Sequence, residues 1–436
     1  MTDPLRLSRE VVACNYAAGL RFLRPPGQVP CIASPVALEP DGPGEVGQWG
    51  TWTLTCTLPE GGLSPAGALR CYVGNPLGAS PSFQRLQGDD PAGEGFVTAW
   101  AGPRRLRVGT DLIGPGGLPL GNVIQVRAEG GPVPGGTEVR LVLGDRSQGG
   151  PGARLPPYDG PVGFWCSLDA AGDGRWADWA DVPVLQVRSG PLASLRLVVP
   201  SLAVAGRQFR ATLQGFDALG NPAPLQGTFV VSEAGRVLRC VAVPAGAGGL
   251  PQATFPLALE EVGVHRLQVR GEGLSGEGNP VEVLAQSPAW GLFWGEIHGH
   301  SWLSDGTADP EAYFRYGREV ACLDFCALTD HDTWLTPEKW AIIRHVVQAH
   351  HRPREFVTLL GFEWSSGQFW TAPGRRFGHK NVYYVGETGP FFSHLDPRYD
   401  TPAKLWAALG PAQSITIAHH PAYPRDEFPC WGTDWT

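Results

Sequence analysis

The chain has 436 residues, a formal net charge of −8 and a pI of about 5.8. Nucleic-acid backbones and anionic membranes attract positive charge, so this acidic balance argues against either as the main partner. The 59 glycines and 42 prolines, with 42% hydrophobic residues, predict two or three domains built largely from short strands and frequent turns.

Residues 1–188 are predicted to form a β-rich, sandwich-like domain. Residues 51–58 alternate polar and apolar side chains with the period of a strand. Residues 95–100 and 138–143 are further strand candidates, because β-branched and apolar residues there are bounded by glycine or proline. Histidine is absent from this region, so it offers no candidate catalytic cluster.

The start of the chain and its cysteines indicate the cellular compartment. Residues 1–6 lack the charged-then-apolar pattern of a secretion signal, and no apolar run is long enough to cross a bilayer. The nine cysteines are scattered and include no CxxC pair, which favours buried thiols over a metal knuckle. We therefore expect a cytoplasmic protein.

Residues 189–286 are predicted to form a second β unit, an immunoglobulin-like sandwich. Strand candidates at 195–199 and 209–213 precede a turn at 216–222 that combines Asp, Gly, Asn and Pro. There is no Cys-Trp-Cys pattern, so only the architecture is implied. We expect this unit to fold by itself and to hold no catalytic residues.

After about residue 290 the pattern changes to apolar runs that alternate with helical segments. An N-cap residue followed by proline predicts helices that begin at Asp309-Pro310, Thr336-Pro337 and Thr401-Pro402. Strand candidates are 323–328, 356–360, 381–385 and 414–418. This alternation predicts βα units, which place their chemistry at the carboxyl ends of strands.

Candidate metal ligands recur at the ends of these strands. Imidazoles and carboxylates in such positions are how a protein builds a site for several divalent metals. The candidates are His298, His300, His331, Glu363, His379, and either His419 or His420. They include most of the histidines of this half of the chain.

Three of these strings resemble the motifs of a known family. His298-Gly299-His300 with Ser304-Asp305-Gly306, Thr329-Asp330-His331-Asp332, and His420-Pro421 occur in the order and spacing of the PHP (polymerase and histidinol phosphatase) domain. The region from about 291 to 425 resembles that domain, and residues 291–436 are assigned to it. The whole chain resembles a poorly characterised group of bacterial proteins with β domains ahead of the metal domain.

The resemblance implies a distorted seven-stranded βα barrel that holds two or three divalent metals, Zn, Mn or Fe. It implies that His298 and His300 bind one metal, that Asp305 and His331 bind a second, and that Glu363 bridges metals. His379 and His420 would complete a third site. Asp330 and Asp332 are candidates to orient His331 through its other nitrogen. Arg375, Arg376 and Lys380 are candidates to grip a substrate phosphate.

The predicted function is metal-dependent hydrolysis of a small-molecule phosphoester, with paired metals activating water. The family's late Asp-x-His motif is not found before Thr436, so we expect an incomplete barrel with at most weak activity. The alternative is a non-catalytic binding or scaffolding protein, in which the β domains hold a carbohydrate or protein partner. A nuclease role is disfavoured by the negative charge.

Overall fold

The computed structural model describes residues 30–74, 83, 86–110, 112–113, 119–120, 123–244, 251–306, 308–366, 377–410 and 413–421. Within these residues the chain forms three units, each with its own apolar core. One core lies between residues 32 and 187, one between 195 and 283, and one between 302 and 409. Each core falls inside one of the three segments predicted from the sequence.

The described residues of the first unit form sixteen strands, twelve of which pair into one continuous sheet. They are β1 (Cys31–Ile32), β2 (Val36–Glu39), β3 (Gly44–Glu45), β4 (Trp49–Gly50), β5 (Trp52–Thr57), β6 (Ala68–Val73), β7 (Val97–Ala101), β8 (Arg104–Gly109), β9 (Leu112–Ile113), β10 (Pro119–Leu120), β11 (Val123–Arg127), β12 (Glu138–Leu143), β13 (Ala153–Arg154), β14 (Gly160–Asp169), β15 (Ala177–Trp179) and β16 (Val184–Arg188). The main path runs β1-β15-β14-β6-β11-β8-β7-β12-β5-β2, and β16 joins β14 to β3.

The alternation predicted for residues 51–58 is observed in β5. Trp52, Leu54 and Cys56 are buried while the threonines between them are half-buried, since side chains on a strand point alternately to opposite faces. Leu54 lies opposite Leu141 of β12, so the two strands bring their apolar faces to the same core.

The second unit is a β-sandwich with the core formed between its sheets. Its strands are β17 (Ser194–Val198), β18 (Leu202–Val204), β19 (Phe209–Phe216), β20 (Gly227–Glu233), β21 (Arg236–Val243), β22 (Gln252–Leu257), β23 (Gly263–His265), β24 (Gln268–Gly271), β25 (Leu274–Glu277) and β26 (Val281–Leu284). They form sheets ordered β17-β19-β22, β18-β26-β23 and β21-β20-β24-β25. This agrees with the predicted immunoglobulin-like sandwich.

Side-chain hydrogen bonds join this sandwich to its neighbours. Asn221 donates through Nδ2 to the carbonyl of Pro157 in the first unit at 2.9 Å. Trp294 donates through Nε1 to Ser201 Oγ at 2.8 Å, and Gln214 donates to the carbonyl of Val320. The sandwich therefore contacts both the first unit and the C-terminal unit.

The C-terminal unit is a five-stranded mixed sheet with three helices among its described residues. The strands are β27 (Gly295–Glu296), β28 (Phe325–Leu328), β29 (Val357–Ser366), β30 (Gly378–Tyr384) and β31 (Ser414–Ala418), in that spatial order. The helices are α1 (Pro310–Glu319), α2 (Pro337–His350) and α3 (Pro402–Leu409), with a 3-10 turn at Asp332–Trp334. The first three strands are parallel, and β30 and β31 are antiparallel to their neighbours.

The three helices begin where the sequence predicts. The side chain of Asp309 accepts from Ala312 N at 2.7 Å, and Thr336 and Thr401 make the same contact three residues ahead. Proline follows each cap at the first helical position, where its missing N–H leaves no bond unmade.

The predicted PHP-type βα barrel is wrong. Strands far outnumber helices in the described chain, and the C-terminal sheet is open, because β27 and β31 lie at opposite edges and do not pair in the described part. The physical reason is the direction of β30, which pairs antiparallel with β29 from Gly361, whereas β29 pairs parallel with β28 on its other edge. Within the described residues the chain thus turns back on itself beside β29.

No helix among the described residues combines the length and the apolar character that crossing a membrane requires.

Candidate metal centre

Six imidazoles form a closed ring at one end of the C-terminal sheet. Adjacent ring centroids are 4.7 Å apart for His298–His300, 4.4 Å for His300–His331 and 5.7 Å for His331–His379. The remaining centroid distances, which close the ring, are 5.5 Å for His379–His420, 3.6 Å for His420–His419 and 3.8 Å for His419–His298. Every histidine predicted as a ligand is therefore in one place, with His419 and His420 both included.

The backbone pairing of the sheet brings these residues together. His298 and His300 follow β27, and His331 follows β28 and forms a parallel bridge with Glu363. Glu363 N also donates to Asp330 O at 3.0 Å. On the other side, His379 lies in β30, and His419 N donates to its carbonyl at 3.0 Å. Glu363 and His379 thus lie within strands. The sequence analysis had placed both residues outside the strand candidates 356–360 and 381–385.

Glu363 is the carboxylate around which the ring is arranged. It is 0% exposed, and its Oε2 lies 3.2 Å from His300 Nε2 and 3.1 Å from His331 Nδ1. Its Oε1 lies 2.5 Å from His379 Nδ1. Two ligand atoms bound at about 2.1 Å to one tetrahedral metal lie roughly 3.4 Å apart, so the contact with His300 Nε2 suits shared coordination, whereas the 2.5 Å contact with His379 Nδ1 is that of a hydrogen bond.

Asp305 adds a second carboxylate on the far side of His331. Its Oδ2 lies 3.5 Å from His331 Nε2, and its Oδ1 lies 3.5 Å from His300 Nδ1. The turn that carries it packs tightly, because a Cβ at Gly306 would lie 2.0 Å from the carbonyl oxygen of His300. Only glycine permits this approach, which places Asp305 beside the ring.

The donor set fits divalent cations. Among the described residues, Glu363 Oε2 and His379 Nε2 are buried and accept or donate no hydrogen bond of good geometry. A buried polar atom without a partner is costly, and a cation would satisfy both. Four groups have donor atoms within 4.8 Å of one another: His298–His300–Glu363, His300–Asp305–His331, His331–Glu363–His379 and Glu363–His419–His420.

The carboxylate of Glu363 and the imidazole of His331 stabilise each other's charged form. Burial alone would raise the pKa of Glu363, but His331, His300 and His379 lower it well below its usual value. Burial alone would lower the pKa of His331, but the carboxylates of Glu363 and Asp305 raise it to about 9. In the metal-free protein, a positive charge on His331 therefore offsets the buried carboxylates. A cation would take over that role.

The other side of the ring holds neutral imidazoles. Burial lowers the pKa of His298 to about 4, of His419 to about 3 and of His420 to about 4, and neighbouring imidazoles add to this against the opposing pull of Glu363. A neutral imidazole offers the lone pair that a metal requires. These three residues are thus ready to bind at neutral pH.

We expect the metal-free protein to lose stability as the pH falls from 6.5 to about 4. In this window the unfolded chain takes up protons at His298, His419 and His420, while the folded chain does not, so protonation favours unfolding. The raised pKa of His331 acts between 6.5 and about 9, outside this window. Urea unfolding of chelator-treated protein across this range measures the effect.

Glutamine at these three positions should flatten the pH dependence, because the unfolded chain then gains no protons there. A slope that is unchanged in the triple variant would show that other groups set the acid sensitivity.

Asp330 and Asp332 accept hydrogen bonds from residues that neighbour the ring histidines. Asp330 is fully buried and accepts from Ser301 N at 2.8 Å, Ser301 Oγ at 2.7 Å and Ser304 Oγ at 2.6 Å. Asp332 accepts from Ser365 N at 2.6 Å and from the backbone N–H of His394 at 2.6 Å. Both carboxylates thus fix the segments that carry ring contacts.

The predicted phosphate-binding residues are placed less favourably. Lys380 is buried, donates through Nζ to the carbonyl of Phe377 at 2.9 Å, and lies 5.9 Å from the ring centre of Trp364. Arg375 and Arg376 lie outside the described residues. Phosphate binding by these three side chains stays a prediction.

Sequence reasoning missed the polar side chains that hold the imidazoles. Thr329 Oγ1 lies 2.8 Å and Asn381 Nδ2 3.1 Å from His298 Nδ1, Ser304 Oγ lies 3.2 Å from His300 Nδ1, and Ser365 Oγ lies 2.6 Å from His331 Nδ1. One signal was available for Ser365. It lies two residues after Glu363 on a strand, which places both side chains on the same face.

Comparison with known proteins gives distant relatives. No family model matches the chain. An uncharacterised protein of Chlamydia pneumoniae is 25% identical over 372 residues, which cover 75% of this chain and 56% of that protein. An uncharacterised protein of Chlamydia muridarum is 26% identical over 276 residues, covering 58% of this chain and 41% of that protein. The chain thus spans about half the length of the curated relatives it matches.

Among solved structures, the Escherichia coli adhesin FdeC aligns over 60% of this chain and 66% of its own, with 17% identity and a TM-score of 0.28. The D00-D0 domain of intimin aligns over 58% and 99%, with 11% identity and a TM-score of 0.26. These scores are too low to transfer a fold or a function.

The comparisons give no support to the predicted PHP-type phosphoesterase. That hydrolase prediction depended on the resemblance of three motifs to the PHP domain, and no family model matches the chain. What the described residues do contain is a β-rich protein, with an immunoglobulin-like sandwich, that carries one dense cluster of imidazoles and carboxylates.

Proposed function

We propose that this chain is a divalent-metal-binding protein whose β units serve as non-catalytic binding or scaffolding modules. The single observation that supports it best is the ring of six imidazoles closed around the fully buried Glu363. Packing six nitrogen bases against one buried carboxylate is costly unless a cation compensates them.

The nitrogen and oxygen ligand atoms limit which metal ions suit the site. Imidazole nitrogens suit Zn²⁺ and Fe²⁺, and carboxylate oxygens suit Mn²⁺ as well, whereas Ca²⁺ and Mg²⁺ prefer sites made of oxygen alone. His298, His300 and Glu363 would hold one cation, and Asp305 with His331 a second. A cation bound there supplies positive charge and Lewis acidity to the end of the sheet.

The β units support the binding side of the proposal. Every group of histidines and acids close enough to hold a metal, among the described residues, lies between His298 and His420. The first unit and the sandwich instead offer extended sheets, each stabilised by its own apolar core. Their contribution is therefore recognition of a partner or support of the metal unit.

We expect the purified full chain to carry Zn, Mn or Fe near stoichiometric amounts, and to regain it after chelation and dialysis. Elemental analysis of the protein, followed by calorimetric titration with each metal, measures this. A variant with His300→Gln and His331→Gln should lose the metal. The matched control is His345→Gln, which changes an exposed histidine on α2.

Two outcomes would overturn the proposal. Equal metal content in the double variant and the control would show that the ring is not the site. Steady turnover of a generic phosphoester by the metal-loaded protein, lost in the double variant, would show that the metal unit is catalytic.

A further inference from the structure

We infer that Ser304 and Ser365 are positioning residues that hold the Nδ1 proton of His300 and of His331, so that each imidazole presents Nε2 to a metal. This inference deepens the proposed function and rests on it. Neither serine belongs to the predicted ligand set, and each touches one ring histidine through its hydroxyl.

The direction of the hydrogen bond at His300 follows from Ser304. Ser304 Oγ donates its only proton to Asp330 Oδ1 at 2.6 Å, since an ionised carboxylate can only accept. The same hydroxyl lies 3.2 Å from His300 Nδ1 and can therefore only accept there. His300 must then carry a proton on Nδ1, which leaves the Nε2 lone pair for a cation.

The same logic holds at His331 through a different acceptor. Ser365 Oγ donates to the carbonyl of Glu363 at 3.1 Å, and it lies 2.6 Å from His331 Nδ1. A carbonyl oxygen cannot donate, so Ser365 accepts from His331 Nδ1–H. Asp332 keeps Ser365 in place by accepting from its backbone N–H at 2.6 Å.

This arrangement sorts the two histidines between two sites. Nε2 of His300 lies 3.2 Å from Glu363 Oε2, whereas Nε2 of His331 lies 3.5 Å from Asp305 Oδ2. If both imidazoles bind through Nε2, His300 coordinates with Glu363 and His331 coordinates with Asp305. The two serines therefore decide which carboxylate each histidine joins.

The first test reads the tautomers without any metal. In chelator-treated full-length protein labelled with ¹⁵N-histidine, we expect His300 and His331 to be protonated at Nδ1, with assignment by single glutamine variants. The spectrum is recorded at a pH above the pKa of about 9 of His331, so that the imidazole of His331 is neutral. Protonation of both rings at Nε2 would overturn the inference.

The second test measures metal affinity by competition with a chromophoric chelator, together with the absorption spectrum of the Co²⁺ form. Ser304→Ala and Ser365→Ala should each weaken binding by about 10–100-fold and alter the spectrum, as loss of a ligand's hydrogen-bond partner does elsewhere. Ser365→Thr retains the hydroxyl and should restore the affinity.

The control for Ser304 is Ser301→Ala. Ser301 Oγ donates to the other oxygen of the same carboxylate, Asp330 Oδ2, at 2.7 Å, but its recorded hydrogen bonds include no histidine. Equal losses in Ser301→Ala and Ser304→Ala would show a purely structural role and overturn the inference. Nδ1 tautomers in a protein that binds no metal would instead reject the proposed function alone.

Discussion

Replacing Glu363 with glutamine is expected to weaken metal binding by more than about 100-fold, because loss of a ligand costs more than the 10–100-fold typical of its supporting partners. Glutamine has the same shape, and its carbonyl oxygen can still accept from His379 Nδ1, which lies 2.5 Å from Glu363 Oε1. Its amide nitrogen cannot bind a cation. The fold should therefore survive while the site does not.

Metal titration of Glu363→Gln, with thermal unfolding of the metal-free protein, separates these two effects. Glu355→Gln is the matched control, because Glu355 is an exposed acid that lies just before β29 in the chain. The pKa of His331 should also fall in Glu363→Gln, since Glu363 helps to raise it. Unchanged metal affinity would contradict the central place of Glu363.

Replacing Asp330 with alanine is expected to lower the free energy of unfolding of the C-terminal unit by at least about 3 kcal/mol, because three buried donors lose a charged acceptor. These donors are Ser301 N, Ser301 Oγ and Ser304 Oγ, all within 2.8 Å of the carboxylate. The effect is structural first, and metal affinity falls with it because Ser304 is then released.

Urea unfolding of chelator-treated protein measures this loss. The control is Asp396→Ala, since Asp396 pairs with the exposed Arg398, and such surface changes stay within about 0.5 kcal/mol. If Asp330→Ala unfolds like the control, the hydrogen bonds around Asp330 contribute little and its role must be sought at the metal.

Local rules predicted much of the C-terminal unit from the sequence. The three helix starts follow from a capping Asp or Thr ahead of proline, and the strand candidates 323–328 and 414–418 contain β28 and β31. The ligand candidates were identified because histidines and acids recur in short strings at the ends of predicted strands. Their convergence followed from their positions beside neighbouring strands.

The sequence could not show that the sheet is open and mixed, because the direction of each strand depends on long-range pairing. Residues 356–360 show a short apolar run in sequence, yet β29 continues through Glu363 to Ser366, and the strand direction changes at the next strand, β30, which is antiparallel to β29. Nothing in the local pattern marks that change. The choice between His419 and His420 likewise depended on ring packing, which brings both into contact with other imidazoles.

The placement of the ring across the sheet would set how fast its different parts release a bound cation. His331, Glu363 and His379 come from or directly follow the interior strands β28, β29 and β30, whereas His419 and His420 follow β31, an edge strand with Ile415 and Ile417 exposed. Edge strands open locally at lower free energy than the interior of a sheet. If a cation binds as proposed, its exchange at the edge pair is governed by fraying of one strand, while exchange at the interior ligands requires the unit to unfold.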